Sequence, residues 1–190
     1  MLNSSKKLLG LLCAVAQLSC ASSVDQQGIY GMLNPSAPPQ VSQYAFMIGT
    51  FDCHAWYREF RDGHWVEAGE RDAVWTARYV LDGYAIMDEY RDETSNNVVV
   101  RVFDPADNVW RIQYARANPT VVRSAAAREV DGNMVMLTEQ VSPSGHTYSE
   151  RVTFHPLADG VYRWTQEVVY SPTSSVIIFD MRCARRSTAH

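Results

Sequence analysis

The sequence predicts an all-β protein: a single antiparallel up-and-down β-barrel of about ten strands, with a short helical turn before the first strand. Three observations carry this. From Gly49 onward, runs of alternating or β-branched and aromatic residues recur. Combinations of Asp, Asn, Gly, Ser and Pro separate those runs. Finally, the first and last credible strands, "FMIGTFDCHAWYREF" and "SSVIIFDMRCARR", each hold one cysteine.

Ahead of the strands, "VSQYAFMI" reads as a short amphipathic turn of helix stopped by Gly49. The strands then fall at residues 50–60, 71–81, 84–91, 97–103, 108–115, 120–129, 133–141, 147–154, 161–170 and 175–184. Between them lie "RDGHW", "LDG", "DETSNN", "DPADN", "VDGN", "SPSG", "LADG" and "SPTS". Connections this short pair neighbouring strands antiparallel. There is no glycine-rich phosphate loop, no alternation of strand with helix and no long helical period.

An open row of strands would leave two long unpaired edges, and closure removes them. The cysteines suggest how the seam closes. With Cys53 opposite Cys183, Ala55 meets Met181 and Tyr57 meets Phe179, so one face is apolar throughout. On the other face His54 meets Arg182 and Trp56 meets Asp180. One register that sorts both faces and joins the thiols favours a barrel.

Residues 1–21 read as a secretory signal peptide: Lys6 and Lys7 precede an apolar run from Leu8 to Leu18, and small residues allow cleavage after Ala21. The other reading is a lipoprotein acylated at Cys20, with Gln17 standing where a lipobox has leucine. Residues 22–43 read as a flexible leader, 44–186 as the barrel domain and 187–190 as a tail. Cys13 leaves with the signal and Cys20 is removed or acylated, so Cys53 and Cys183 remain to form a disulfide in an oxidising compartment, periplasmic or extracellular. At 190 residues, 46% hydrophobic and 20% charged, the chain is one globular domain with a true core. The net charge of −4 becomes −6 once the two lysines leave, and no basic cluster remains, which argues against nucleic acid as a partner. Membrane attachment is expected only if Cys20 carries lipid.

Few residues suggest chemistry. Asp88 and Glu89 are adjacent on one strand, so only one of them faces inward. There it would titrate high enough for acid–base work, pair with an arginine such as Arg101 or Arg111, or simply be solvated. Asp82 belongs to a turn. Trp75 and Tyr79, Trp110 and Tyr114, and Tyr162 and Trp164 are paired on single faces of their strands, suited either to lining a pocket for a mostly apolar ligand or to filling a packed core. The histidines, His54, His64, His146, His155 and His190, show no metal-ligand spacing, and His54 is expected to meet Arg182 or Asp180. No serine sits in a glycine elbow, and no cofactor motif is present.

Gly49-Thr50-Phe51, with an arginine-bearing last strand, resembles the calycin pattern of lipocalins and fatty-acid-binding proteins. In that pattern a glycine-x-tryptophan opens the barrel and a late arginine covers the tryptophan. Here Phe51 takes the tryptophan's place, and Arg182, Arg185 or Arg186 the arginine's. The stretches "YVLDGYAIMDEYRDE" at 79–93 and "GVYRWTQE" at 160–167 more closely resemble uncharacterised bacterial lipocalin-like domains, over residues 44–184. That resemblance implies a barrel with an internal cavity and little about chemistry. The glycine-rich opening of nitrobindin, a related haem-binding barrel, has no match here.

The expectation is therefore an exported protein that binds a small, mainly hydrophobic molecule inside the barrel, without cofactor. The alternatives are an isomerase or hydratase using one buried carboxylate, and an accessory envelope lipoprotein whose barrel is packed solid.

Overall fold

The computed structural model of the chain describes residues 30–142 and 145–187. The signal peptide with Cys13 and Cys20, and His190, lie outside the described residues. The strands are β1 (Gly49–Arg61), β2 (His64–Val80), β3 (Ala85–Arg91), β4 (Asn96–Asp104), β5 (Val109–Ala117), β6 (Thr120–Val130), β7 (Asn133–Val141), β8 (Thr147–Pro156), β9 (Val161–Ser171) and β10 (Ser174–Arg185). Each pairs antiparallel with its neighbours in sequence, and β10 returns to β1, so the sheet closes on itself. Closure leaves neither terminal strand as a free edge.

The seam has the expected register. Cys53 lies opposite Cys183, Ala55 opposite Met181 and Tyr57 opposite Phe179. A disulfide joins Cys53 to Cys183. Phe51, Cys53, Ala55, Met181 and Cys183 are buried, so the apolar face of the seam is the inner one.

One expected boundary moves. Residues 64–70, read from the sequence as connection, are strand. Asp62 and Gly63 both have positive φ, 51° and 84°, the signature of a two-residue type I′ turn. Such a turn puts strand directly on both sides of itself. The β1–β2 ladder accordingly runs down to Arg61 opposite His64, with a bulge at Tyr57/Arg58.

The supposed leader is also more ordered than expected. Pro39–Met47 forms a 3₁₀ helix whose buried residues are Val41, Tyr44 and Met47. Their spacing of three is the period of that helix, so one face is wholly apolar. This plug helix closes the end of the barrel where β1 begins, called the lower end here. Asn34 reaches the β2–β3 turn as well, through its backbone to the Gly83 carbonyl at 3.3 Å and its side chain to that of Asp82 at 3.0 Å. Asp82 acts within that turn, as expected.

Gly49 marks the passage from plug to barrel. Its φ of +133° suits glycine, and a Cβ there would collide with the Arg185 guanidinium. Arg185 lies over the Phe51 ring at 4.7 Å and donates to the carbonyl of Ile48 at 2.5 Å. Of the three arginines expected to cover Phe51, Arg185 does so.

Candidate functional site: the upper barrel cavity

Strand alternation directs every second residue inward, but only half of the barrel is filled. At the lower end, Tyr44 of the plug meets Trp110 edge-on at 4.9 Å and Phe154 at 5.7 Å. Phe51 and Tyr162 meet at 5.0 Å, and Phe103 and Trp110 at 5.8 Å. Trp110 donates its indole N–H to Gln43 Oε1 at 2.9 Å. Each ring pair of this kind adds about 0.5–1.5 kcal/mol beyond burial alone. The lower half is therefore a packed core.

The upper half holds a cavity of ≈ 740 Å³. Its floor and walls include Trp75, Val99, Ile112, Tyr114, Val152, Phe154, Trp164, Phe179 and Met181. Toward the hairpins of the upper end the lining turns polar, with Asp92, Thr94, Asn97, Arg116, Arg123, Thr138, Gln140, Glu150 and Gln166.

At the boundary between core and cavity sits one polar cluster. Asp88 on β3 is fully buried and forms an ion pair with Arg101 on β4. Trp75 on β2 donates its indole N–H to Asp88 Oδ1 at 3.0 Å. The Arg101 guanidinium lies over the rings of Tyr44, at 5.1 Å, and Phe154, at 5.3 Å. Burial pulls the Arg101 pKa down, opposed by Tyr44 and Tyr162, and the same burial pushes the hydroxyls of those two tyrosines up. The carboxylate at this point is thus balanced by a cation as well as hydrogen-bonded, the arrangement a buried charge requires.

A second pair braces the rim. Arg71 bonds Asp92 Oδ2 at 3.2 Å and lies 4.2 Å from the Tyr57 ring centroid. Asp92 also accepts the Tyr90 hydroxyl at 2.9 Å, and burial together with this bond pushes the Tyr90 hydroxyl well above the usual phenol range.

The wall itself is incomplete on one side. β6 and β7 pair over four positions only, from Ala127 opposite Met136 to Val130 opposite Asn133. Above them, β6 continues bonded to β5 and β7 continues bonded to β8, but not to each other. Residues on both sides of this slit, among them Arg123, Ala125, Thr138 and Gln140, line the cavity. Its outer lips carry Val122, Leu137 and Val141, which are 72%, 62% and 69% exposed.

The sequence-predicted residues divide along these lines. Trp75, Tyr114 and Trp164 line the cavity. Asp88 faces inward beneath it. Glu89 does not: it takes the outward position next to Asp88 and is partly exposed, as alternation demands. Trp110 and Tyr162 belong to the packed lower core rather than to a ligand wall, because the plug helix fills their end. Tyr79 is likewise a partly buried residue packed on that core, near the lower end of β2. His54 lies opposite Arg182 in the β1–β10 ladder and Trp56 opposite Asp180, as the register predicts, but the His54 ring bonds neither Arg182 nor Asp180. It faces the neighbouring β2, bonding Asp72 Oδ1 at 2.7 Å and Glu70 Oε2 at 3.2 Å, while Asp180 takes Arg163.

The residues not foreseen are the inward arginines Arg71, Arg116 and Arg123. Arg116 carries a readable signal, since it continues the period-two stripe Trp110, Ile112, Tyr114 of β5. Among the described residues, no group of three or more His, Cys, Asp or Glu is placed to hold a metal ion. No helix among them is long and apolar enough to cross a membrane.

Fold and site together define a closed antiparallel β-barrel, plugged at one end and hollow at the other. Comparison with known proteins gave no match to a protein-family model or to the sequence of a curated protein.

Proposed function

We propose that the protein is an exported carrier or sensor that holds a small, mainly apolar molecule in the upper half of the barrel, admitted through the slit between β6 and β7. The observation that carries this reading is the cavity of ≈ 740 Å³ with aromatic and aliphatic walls and a few polar groups at its rim. Binding pockets for small molecules have that size and that composition. The resemblance to lipocalin-like domains supports the same reading, and so does Arg185 over Phe51. Export rests on the amino-terminal signal pattern and on the Cys53–Cys183 bridge, which persists in oxidising compartments. Attachment to a membrane would require acylation of Cys20.

The ion pair of Asp88 with Arg101 weighs against the isomerase or hydratase reading, because a carboxylate neutralised by arginine is a poor acid–base catalyst. The open upper half weighs against a barrel packed solid.

The test is a tryptophan-fluorescence screen against lipids, steroids and aromatic metabolites. Trp75 and Trp164 line the cavity, so an occupant should shift or quench emission, and Trp164→Phe should remove part of that response. No response from any class would defeat the reading.

A further inference from the structure

This inference rests on the reading of the upper cavity as a binding site and names the chemistry of its ligand. Four arginines reach the cavity lining. Two are already engaged, Arg71 with Asp92 at 3.2 Å and Arg101 with Asp88. The other two, Arg116 and Arg123, form no ion pair among the described residues. The Nε of Arg116 is buried without a hydrogen-bond partner there, and Arg123 donates to Gln140 Oε1 at 3.4 Å.

Strand register sets the two arginines side by side. Tyr114 faces Arg123 across the β5–β6 ladder and Arg116 faces Val121, so the arginines are diagonal neighbours on the inner face, within reach of long side chains. Like charges so placed repel, and a buried N–H with no acceptor costs free energy. One anion between them removes both penalties. The guanidinium fork is also matched to the paired oxygens of a carboxylate or phosphate. Of the acidic residues in the lining, Asp92 is held by Arg71, and Glu139 is exposed on the outward side of β7. Glu150 accepts from Gln166 Nε2 at 3.1 Å and from the Tyr148 hydroxyl at 3.4 Å. None of them neutralises the arginine pair.

We propose that the cavity takes an amphipathic anion. Its apolar body lies against Trp75, Phe154, Trp164 and Met181, and its single acidic group, a carboxylate or a phosphate, is held by Arg116 and Arg123 beside the slit.

The experiment compares decanoate, decyl phosphate, decanol and decylamine, with equal chains and different heads, by tryptophan fluorescence and calorimetry. At least one of the acids should bind roughly tenfold or more tightly than decanol, and the amine should bind most weakly, as one charge-assisted bond predicts. Decanoate preferred over decyl phosphate assigns a carboxylate, and the reverse order a phosphate. Arg123→Gln, an exposed position, and Arg116→Gln, checked for folding by circular dichroism, should each reduce acid binding and leave decanol unchanged. Decanol equal to both acids, or a preference that survives both substitutions, overturns the assignment while the cavity stays a binding site. If no member of the series binds, the cavity reading falls and the assignment with it.

Discussion

Asp88 of β3 and Arg101 of β4 pair on the inner face of the barrel with side chains 0% and 3% exposed. They are diagonal neighbours, because Asp88 faces Val99 and Ile86 faces Arg101. Removing one partner strands the other charge in an apolar setting, which typically costs about 3–5 kcal/mol. Asp88→Asn and Arg101→Met should each lower unfolding stability in urea by that order. The double variant Asp88→Leu/Arg101→Met should recover most of the loss, since no charge then stays buried. A double variant no more stable than either single one would show that the pair is not the source of the loss.

The Cys53–Cys183 bridge spans a sequence separation of 130 residues. Closing so long a loop restrains the unfolded chain, worth about 4–5 kcal/mol on the chain-entropy account. The variant Cys53→Ala/Cys183→Ala should fold to the same barrel, its seam still hydrogen-bonded, with stability reduced by up to that amount. Denaturation of the variant beside the oxidised protein measures this. Equal midpoints and equal slopes would contradict it.

His54 gives a pH signature. Its hydrogen bond to Asp72 raises its pKa above the usual imidazole value, with a smaller contribution from Glu70. A raised folded pKa stabilises fully below the unfolded value of about 6.5, and that gain fades as pH rises through the folded value. The melting-temperature gap between the protein and His54→Gln should therefore be wider near pH 5.5 than near pH 8.5. The effect is small, because the ring is 41% exposed. A gap independent of pH would refute it.

Val122 and Val141 stand on opposite lips of the slit, both exposed. Cysteines placed at these two positions can be tethered by a short bifunctional thiol reagent without touching the cavity lining. Tethering should slow uptake and release of a bound fluorophore such as anilinonaphthalene sulfonate severalfold, with little change in its equilibrium affinity. Unchanged rates after complete tethering, read by stopped-flow fluorescence, would place the route at the upper mouth instead.

Much of this architecture was legible in the chain. Period-two runs broken by Asp-Gly and Ser-Pro turns located all ten strands, and the two cysteines set the seam to the residue, because a one-residue slip would have turned Ala55 and Tyr57 outward. The early start of β2 was readable too, in the Asp62-Gly63 pair, whose turn type demands flanking strand. The partner of His54 was not. Cross-strand register offers a residue two neighbours, one on each side, and only the folded sheet shows that Asp72 outcompetes the cationic Arg182.

By itself, then, the sequence determined the order of the strands, their pairing and the face each side chain takes, because those follow from local periodicity and turn chemistry. Depth along the barrel axis was decided only by the tertiary structure. Trp110 and Trp164 carry the same alternation signal, yet the plug helix seals one into the core while the other faces open space. Alternation fixes inside and outside. It contains nothing about which end of a hollow cylinder a distant segment will fill, nor which inward arginines are left without a counter-charge once it has.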